Sequence, residues 1–318
     1  MLTICIPTFN RSNFFDNLLK SIYIADKKVK IIIVNNCSTD NTKFVISKFK
    51  KKFKHLSHFT HNKKKSYDEN YIFCLNKIKT KYGWVIGDDD EISSDSIKVI
   101  NIFLKRKNIT GITCDYNLIN ENKKIIKNNL EFKNFDMNIN FYKFGMLSTQ
   151  IININLFKEL QKKINLEKIK FNGYAHMYII AYLLRYYKNW FYFKRKIINY
   201  RSGNLEYFKR PNDYFSRLKN ELLGYSVALK ILFNRQHAFY IKNMDNIYKK
   251  NIKSWLFLSM IKSEKLKTIK LMRKYFNIFP LKSKIKVIIL ILITLIIPKF
   301  ILINIKKVRR KIINYSLE

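Results

Sequence analysis

The chain has 318 residues, of which 47% are hydrophobic, so it can bury a substantial core in one large or two modest domains. Its 62 Lys and Arg residues against 22 Asp and Glu give a formal charge of +40, which predicts a partner or surface that carries negative charge. This composition excludes a disordered tail, and four dispersed cysteines without a CxxC pair indicate neither a zinc site nor a disulfide framework.

The amino-terminal third of the chain alternates strand-like and helical patterns. Apolar runs at 2–6, 30–34 and 84–86 predict buried strands, and segments of helical periodicity separate them. Met1 leads into the first strand with no basic segment and no long apolar segment, so we expect no secretory signal and a cytoplasmic protein. The helices are expected to follow capping residues, namely Ser12 or Asn13, Asp40, Asp68, and Ser93 or Ser94. The pattern predicts one α/β unit over residues 1–115 with a doubly wound, mostly parallel sheet.

The remaining residues are predicted to form two further regions. Residues 116–205 carry helical patterns at 156–164 and 176–187 and a strand-like run at 196–200. Residues 206–318 are predicted to be a helical C-terminal extension. With 7 Gly and 4 Pro in the whole chain, the boundaries between these regions are poorly marked.

Three consecutive aspartates follow the third predicted strand, in the run Gly87-Asp88-Asp89-Asp90-Glu91. The carboxyl ends of parallel strands are where α/β sheets bind ligands, and adjacent carboxylates repel one another strongly. A hard divalent cation would relieve that repulsion, so we expect Mg²⁺ or Mn²⁺ to bind Asp88, Asp89 and Asp90. The alternative is a solvated acidic turn, which is disfavoured in a chain so poor in acids.

Two other predicted strands end in polar turns that open a helix. The first turn reads Pro7-Thr8-Phe9-Asn10-Arg11, and the second reads Asn35-Asn36-Cys37-Ser38-Thr39-Asp40. Such turns offer backbone donors to a nucleotide, although each alone is a common feature. It is their order and spacing before the acidic triplet that predict a nucleotide site.

Together the three motifs resemble the nucleotide-binding half of family 2 glycosyltransferases, which have the GT-A fold. The resemblance covers roughly the first 115 residues and continues faintly to about Asn204. The variants at 35–40 and 87–90 look most like the branch that contains abequosyltransferase-like enzymes of bacterial surface polysaccharide synthesis.

The resemblance implies a metal-dependent transferase with a UDP-, CDP- or dTDP-linked sugar donor and a lipooligosaccharide, capsule or other surface glycan or glycolipid as acceptor. In the family, the first turn forms one wall of the nucleotide site, the second turn holds the base, and the carboxylate motif binds the donor's diphosphate through the metal. The matching nucleotide-site residues are Pro7, Thr8, Phe9, Asn10, Arg11, Asn35, Asn36, Asn62, Asn70 and Asp88.

Two positions depart from the family pattern. Many relatives carry Asp in place of Asn35 to accept the N3 hydrogen of uracil, whereas an Asn amide both donates and accepts, so uracil, thymine and cytosine all fit. Inverting relatives place a carboxylate base ahead of a helix on the acceptor side, where this chain has His176. Since imidazole has a suitable pKa for a general base, we expect His176 to be catalytic, together with Asp90. A packing histidine is the alternative, and Glu206 and Asp213 are the fallback candidates.

An apolar run from Val287 to Ile297 lies between two basic clusters near the end of the chain. As a helix it reaches about 16 Å, which is too short for a hydrocarbon core of about 30 Å. Basic residues on both flanks favour the cytoplasmic side, so we expect an interfacial segment that attaches the protein peripherally to the anionic inner face of the cell membrane. The alternative is a buried core helix.

The leading hypothesis is an inverting glycosyltransferase, in which the metal neutralises the diphosphate leaving group while a base activates an acceptor hydroxyl. A non-catalytic binder of nucleic acid or anionic membrane would account for the charge but leaves the acidic triplet unexplained, so no nucleic acid partner is expected. A nucleotidyltransferase also uses strand-end carboxylates and a metal, but the first turn has no glycine-rich phosphate loop followed by Lys.

Overall fold

The computed structural model describes residues 1–105, 108–119, 133–134, 141–169, 171–201, 213–233, 235, 237–261 and 265–297. The chain divides into two compact units, Met1–Asn204 and Leu205–Glu318. Within the described residues, the strands belong to the first unit and the second unit is helical. The division of the first unit into a nucleotide-binding half and an acceptor-side half stays a prediction.

The first unit is built on one mixed sheet. Its strands are β1 (Leu2–Thr8), β2 (Lys30–Asn35), β3 (Leu56–Thr60), β4 (Tyr82–Val85), β5 (Glu91–Ile92), β6 (Gly111–Ile119), β7 (Lys133–Asn134), β8 (Gln150–Asn153) and β9 (Trp190–Arg201). They lie in the order β3-β2-β1-β4-β8-β6-β9-β5, with β7 beside β9. The first four in that order pair in parallel, as do β6 and β9, whereas β8 runs antiparallel to both β4 and β6.

Helices pack on this sheet where the sequence predicts them. They are α1 (Ser12–Ala25), α2 (Thr42–Lys50), α3 (Tyr67–Lys77), α4 (Ser96–Phe103), α5 (Ile154–Lys163) and α6 (Ala175–Tyr187). The predicted face of α1 is confirmed, because Phe15, Leu18 and Ile22 recur at helical spacing and are all fully buried. The strand bounds differ more: β1 continues through Pro7 to Thr8 beside β2, and β9 begins at Trp190, well before the predicted start.

Three helices begin differently from the prediction. Helix α4 begins after Asp95 rather than after Ser93 or Ser94. Ser12 does not cap α1 with its side chain; its backbone N–H donates instead to Asp40 Oδ2 at 2.8 Å. Helix α3 begins with a capping box in which Ser66 and Glu69 satisfy each other's backbone N–H groups. Because Ser66 and Glu69 already satisfy the N–H groups at the start of α3, Asp68 does not cap this helix. Its carboxylate instead accepts hydrogen bonds from another segment of the chain.

The second unit consists of α7 (Asp213–Leu232), α8 (Ala238–Ile247), α9 (Lys253–Ile261), α10 (Lys265–Tyr275) and α11 (Leu281–Ile296). The predicted apolar run lies in α11, and no helix among the described residues is both long enough and apolar enough to cross a membrane. Helix α11 buries Ser283, Val287 and Thr294, and Ser283 Oγ donates to Asp245 Oδ1 at 2.8 Å. Its other face exposes large apolar side chains, which a buried core helix would not do: Leu281, Ile285, Ile288, Ile289, Leu292, Ile293, Leu295 and Ile296.

Candidate active site

The acidic turn follows β4 and lies beside the end of β1. The backbone N–H of Phe9 donates to Asp88 Oδ2 at 3.3 Å. Arg11 Nη1 donates to Asp88 Oδ1 at 3.1 Å and to Asp89 Oδ2 at 2.8 Å. Adjacent parallel strands end at the same edge of the sheet, so two motifs more than 70 residues apart in sequence form one cluster.

The carboxyl groups of this cluster are buried and lie next to one another, and both conditions disfavour their charged forms. Asp88 and Asp90 are 6% and 4% exposed. Burial raises the pKa of Asp88, Arg11 opposes the rise, and the charge of Asp89 adds to it. Burial also raises the pKa of Asp90, again with a contribution from the neighbouring Asp89 charge. Two buried carboxyl groups that resist ionisation form an oxygen-rich site that a cation would stabilise.

Residues from the segment before β8 and from the end of β9 support the acidic turn. Ser148 Oγ accepts the Gly87 N–H at 2.8 Å. At the end of β9, the Arg201 backbone N–H donates to Asp90 Oδ1 at 3.4 Å, and its Nε donates to the Asp89 carbonyl at 3.3 Å. Arg201 Nη2 also donates to Glu91 Oε1 at 2.7 Å. The carboxylates are therefore held in place from both sides.

The second turn is tied directly to the first. The Asn10 N–H donates to Ser38 Oγ at 3.0 Å, and Asn10 Oδ1 accepts the Thr39 N–H at 2.8 Å. Asn10 has φ 52 and Cys37 has φ 63, left-handed conformations that Asn tolerates better than most residues. These bonds between the ends of β1 and β2 make one wall of turn residues, in agreement with the order of the motifs.

Asn35 and Asn36 have different surroundings. Asn35 is fully buried, its Oδ1 accepts the Ser38 N–H at 2.9 Å, and its amide nitrogen has no hydrogen-bond partner among the described residues. Asn36 clamps the backbone of Lys65, donating to its carbonyl at 2.9 Å and accepting its N–H at 2.8 Å. Asn35 thus carries an unused donor at the end of β2, whereas Asn36 shapes the segment before α3.

Asn62 and Asn70 do not share one environment. Asn70, on α3, is buried, and its Oδ1 lies 3.0 Å from His61 Nε2. Asn62 is exposed in the segment that links β3 to α3. Pro7 and Thr8 end β1, with Thr8 buried beside Asp88.

His176 is 3% exposed at the start of α6, and both ring nitrogens have partners. Nε2 lies 3.2 Å from the Gly145 carbonyl, and Nδ1 lies 3.2 Å from the Tyr67 hydroxyl. Because a carbonyl oxygen only accepts, Nε2 carries the proton and Nδ1 presents its lone pair to Tyr67. The fallback candidate Glu206 lies outside the described residues, and Asp213 begins α7 in the second unit.

Asp68 is a residue whose place the sequence did not predict. Its two oxygens accept the N–H groups of Gly173 at 2.7 Å and Ala175 at 2.9 Å, so it caps α6 from a distant segment. Burial raises the pKa of Asp68, and these two N–H groups oppose the rise. Ser148 and Arg201 were missed as well, since no local pattern distinguishes one serine or one arginine from the many others in the chain.

The residues of the acidic turn fit a divalent cation held jointly with a ligand. No group of three or more His, Cys, Asp and Glu side chains is arranged to hold a metal ion in the part of the chain that the structure describes. Mg²⁺ is commonly bound by one or two carboxylates and completed by substrate phosphates. Asp88 and Asp90, buried and with raised pKa values, meet that requirement without a third protein ligand.

Comparison with solved structures identifies the fold. One similar solved structure is TarS residues 1–349 from S. aureus. It gives a TM-score of 0.61 at 15% identity, and the match covers 88% of this chain and 81% of that one. The mannosyltransferase PcManGT from Pyrobaculum calidifontis gives a TM-score of 0.55 at 10% identity, covering 93% and 87% of the two chains. At such identities the likeness shows the fold alone, and that fold is GT-A, as predicted.

Sequence relatives point the same way. Abequosyltransferase RfbV of Salmonella typhimurium is 28% identical over 108 residues, 33% of this chain and 32% of that protein. The GalNAc(5)-diNAcBac-PP-undecaprenol beta-1,3-glucosyltransferase of Campylobacter jejuni is 29% identical over 101 residues, 31% and 33% of the two chains. Each match spans about a third of the relative's own length.

Residues 3–162, half of the chain, match the model of glycosyl transferase family 2. This range includes both polar turns and the acidic turn, and the match favours neither a nucleotidyltransferase nor a non-catalytic binder. The chain belongs to glycosyl transferase family 2.

Proposed function

We propose that this glycosyltransferase is metal-dependent and inverting, and that it transfers a sugar from a nucleotide-linked donor to a lipooligosaccharide, capsule or other surface glycan. The observation that carries the proposal is the pair of buried, mutually repelling carboxyl groups of Asp88 and Asp90 beside the turn 7–11. The acceptor class follows from the relatives, which are an abequosyltransferase and a glucosyltransferase acting on an undecaprenol-linked glycan.

The donor would lie along the wall formed by the first two turns. TarS has been solved with UDP-GlcNAc and with UDP, and PcManGT with GDP-Man and Mn²⁺, so neighbours with this fold bind nucleotide sugars. In this chain, the unused amide donor of Asn35 suits a base that presents an acceptor, such as the N3 of cytosine or a carbonyl of uracil or thymine. A UDP-, CDP- or dTDP-linked sugar meets that requirement.

A divalent cation, Mn²⁺ or Mg²⁺, would be held by one or two carboxylates from among Asp88, Asp89 and Asp90, and the donor's phosphates would complete its coordination. When bound, it would neutralise charge on the diphosphate leaving group. The protein's own part is to fix the carboxylates: Phe9 orients Asp88, and the Arg201 backbone orients Asp90.

His176 is the proposed base, with Tyr67 as its contact to the acceptor. The Gly145 carbonyl fixes the tautomer that leaves the Nδ1 lone pair facing the Tyr67 hydroxyl. His176 is buried, whereas Tyr67 is 42% exposed, so a proton from the acceptor hydroxyl would pass through Tyr67 to Nδ1. Tyr67→Phe would interrupt this transfer while keeping the ring, so its effect separates a relay from packing.

The direct test is slow hydrolysis of nucleotide sugars by the purified protein. We expect release of the nucleoside diphosphate from at least one of a panel of UDP-, CDP- and dTDP-sugars, and only with Mn²⁺ or Mg²⁺ present. Equal turnover after exhaustive chelation would contradict the metal-dependent proposal. Release of pyrophosphate from a nucleoside triphosphate would instead favour a nucleotidyltransferase.

We also propose that the protein attaches peripherally to the anionic inner face of the cell membrane through the outward face of α11. Eight apolar side chains are exposed there, and Lys282 lies exposed at its start. The second basic cluster, at 306–311, lies outside the described residues. Apolar burial and lysines near an anionic surface both contribute, at about 1 kcal/mol per lysine, so salt should weaken binding without abolishing it.

Flotation with vesicles containing anionic lipid tests this attachment. Ile289→Glu, on the exposed face, should release the protein from vesicles with little effect on its unfolding temperature. Val287→Ala is the matched control on the buried face, and it should lower stability while leaving vesicle binding intact. Unchanged flotation of Ile289→Glu would show that another surface makes the contact.

A further inference from the structure

Arg11 lies between two carboxylates of the acidic turn, in the place of a cation. Its Nη1 atom is 3.1 Å from Asp88 Oδ1 and 2.8 Å from Asp89 Oδ2, so a single nitrogen bridges both side chains. The guanidinium of Arg201 is used differently, because it donates to the Asp89 carbonyl and to Glu91. The ion pairs of Arg11 therefore engage the oxygens that the proposed metal would need.

A divalent cation and Arg11 would compete for these oxygens. A guanidinium about 3 Å from the carboxylates of Asp88 and Asp89 would repel a metal bound to the same groups and would occupy part of their acceptor capacity. One positive charge also offsets only part of the repulsion among three adjacent acids, and a divalent ion offsets more of it. Binding of the metal thus requires Arg11 to leave at least one carboxylate.

We infer that Arg11 is the resident counter-ion of the acidic turn, displaced by the divalent cation and then available to the diphosphate of the donor. The inference rests on the proposed metal-dependent function. Arg11 directly precedes α1, whose N-terminal end favours anions, and a planar guanidinium suits phosphate oxygens. Its side chain is 22% exposed, so it can turn from the aspartates toward a ligand without crossing the core.

This arrangement predicts effects of opposite sign on two ligands. Arg11→Met removes the competing charge and keeps an unbranched side chain, so the protein should bind Mn²⁺ alone about tenfold more tightly, within the usual range for coupled sites. The same variant should bind a nucleoside diphosphate about tenfold more weakly at saturating Mn²⁺, because the phosphate has lost its guanidinium partner. If the role of Arg11 were purely structural, Arg11→Met would bind both Mn²⁺ and the nucleoside diphosphate more weakly.

The experiment measures Mn²⁺ binding by electron paramagnetic resonance, without nucleotide, in the wild type, Arg11→Met, Arg11→Lys and Arg195→Met. Arg195 is the matched control, since it lies on β9 and pairs with Asp95, the residue before α4, rather than with an aspartate of the acidic turn. The second titration uses whichever of UDP, CDP, dTDP and GDP binds the wild type most tightly with Mn²⁺. Arg11→Lys, which keeps a charge that reaches one carboxylate at a time, should fall between wild type and Arg11→Met.

The outcomes separate this inference from the function beneath it. Tighter Mn²⁺ and weaker nucleotide binding in Arg11→Met, with Arg195→Met unchanged, support the inference. Mn²⁺ affinity that is equal or weaker in Arg11→Met overturns it while leaving a metal-dependent enzyme. If neither wild type nor any variant binds Mn²⁺, the metal-dependent function fails as well. If Arg11→Met does not fold, the same two affinities are compared between Arg11→Lys and wild type. Tighter Mn²⁺ binding with weaker nucleotide binding supports the inference, and equal or weaker Mn²⁺ binding overturns it.

Discussion

Arg201→Met should destabilise the first unit far more than the loss of another arginine from the same strand. The ion pair between Arg201 and Glu91 is shielded, with side-chain exposures of 6% and 12%, and the same guanidinium donates to the Asp89 carbonyl. Removing one partner of a buried pair costs about 3–5 kcal/mol, because the carboxylate left behind stays desolvated. Arg195 pairs with Asp95 at exposures of 37% and 39%, so Arg195→Met should cost at most about 1 kcal/mol.

Urea denaturation followed by tryptophan fluorescence measures this difference, since Trp84 and Trp190 both report on the first unit. The expected result is a lower free energy of unfolding for Arg201→Met by several kcal/mol, with Arg195→Met close to wild type. Arg201→Met should also weaken Mn²⁺ binding, because the Asp89 carbonyl loses the donor that fixes the turn. Equal free energies of unfolding for the two variants would refute the reasoning that burial of the pair sets the cost.

Four further predictions concern the site itself. Among Asp88→Asn, Asp89→Asn and Asp90→Asn, at least one should abolish metal-dependent donor hydrolysis, and normal turnover by all three would eliminate the metal-assisted mechanism. Burial raises the pKa of Asp90 to about 8, so the stability linked to its protonated form is lost as pH rises through that value. Asp90→Asn should therefore raise the unfolding temperature of the metal-free protein at about pH 9, where the wild-type carboxyl group is ionised. An unchanged unfolding temperature would contradict this. His176→Ala should lower transfer far more than donor binding, whereas equal losses would assign His176 to packing. Asn35→Asp should favour UDP over CDP in competition, because a carboxylate only accepts, and an unchanged preference would show that Asn35 does not face the base.

The parts of the site that the sequence predicts are those whose signals are local. The acidic turn is one unbroken run after an apolar strand, and each polar turn directly follows the strand that carries it. The sheet then brings their ends together, because parallel strands end at a common edge. Such motifs need no knowledge of distant contacts, so the fold and the acidic cluster were both predictable.

Long-range contacts leave no comparable trace. Asp68 lies 105 residues from Gly173, and Arg201 lies 110 residues from Glu91, so neither partner can be read from local spacing. In the case of Asp68, the local reading was wrong because two capping groups competed for one helix start. The box of Ser66 and Glu69 satisfies α3, which leaves the Asp68 carboxylate to cap α6.

One short segment, residues 141–149, connects the proposed base to the proposed metal site. The Gly145 carbonyl receives the His176 Nε2–H, and three residues later the Ser148 hydroxyl receives the Gly87 N–H at the start of the acidic turn. The Ser148 carbonyl is itself fixed by Trp84 Nε1 at 2.7 Å, inside β4. The proposed in-line attack requires a set separation between the base and the leaving-group side, and this segment would fix that separation through the Gly145 carbonyl and the Ser148 hydroxyl. A serine and a glycine, neither of which carries charge, would thereby position the two ends of the proposed reaction.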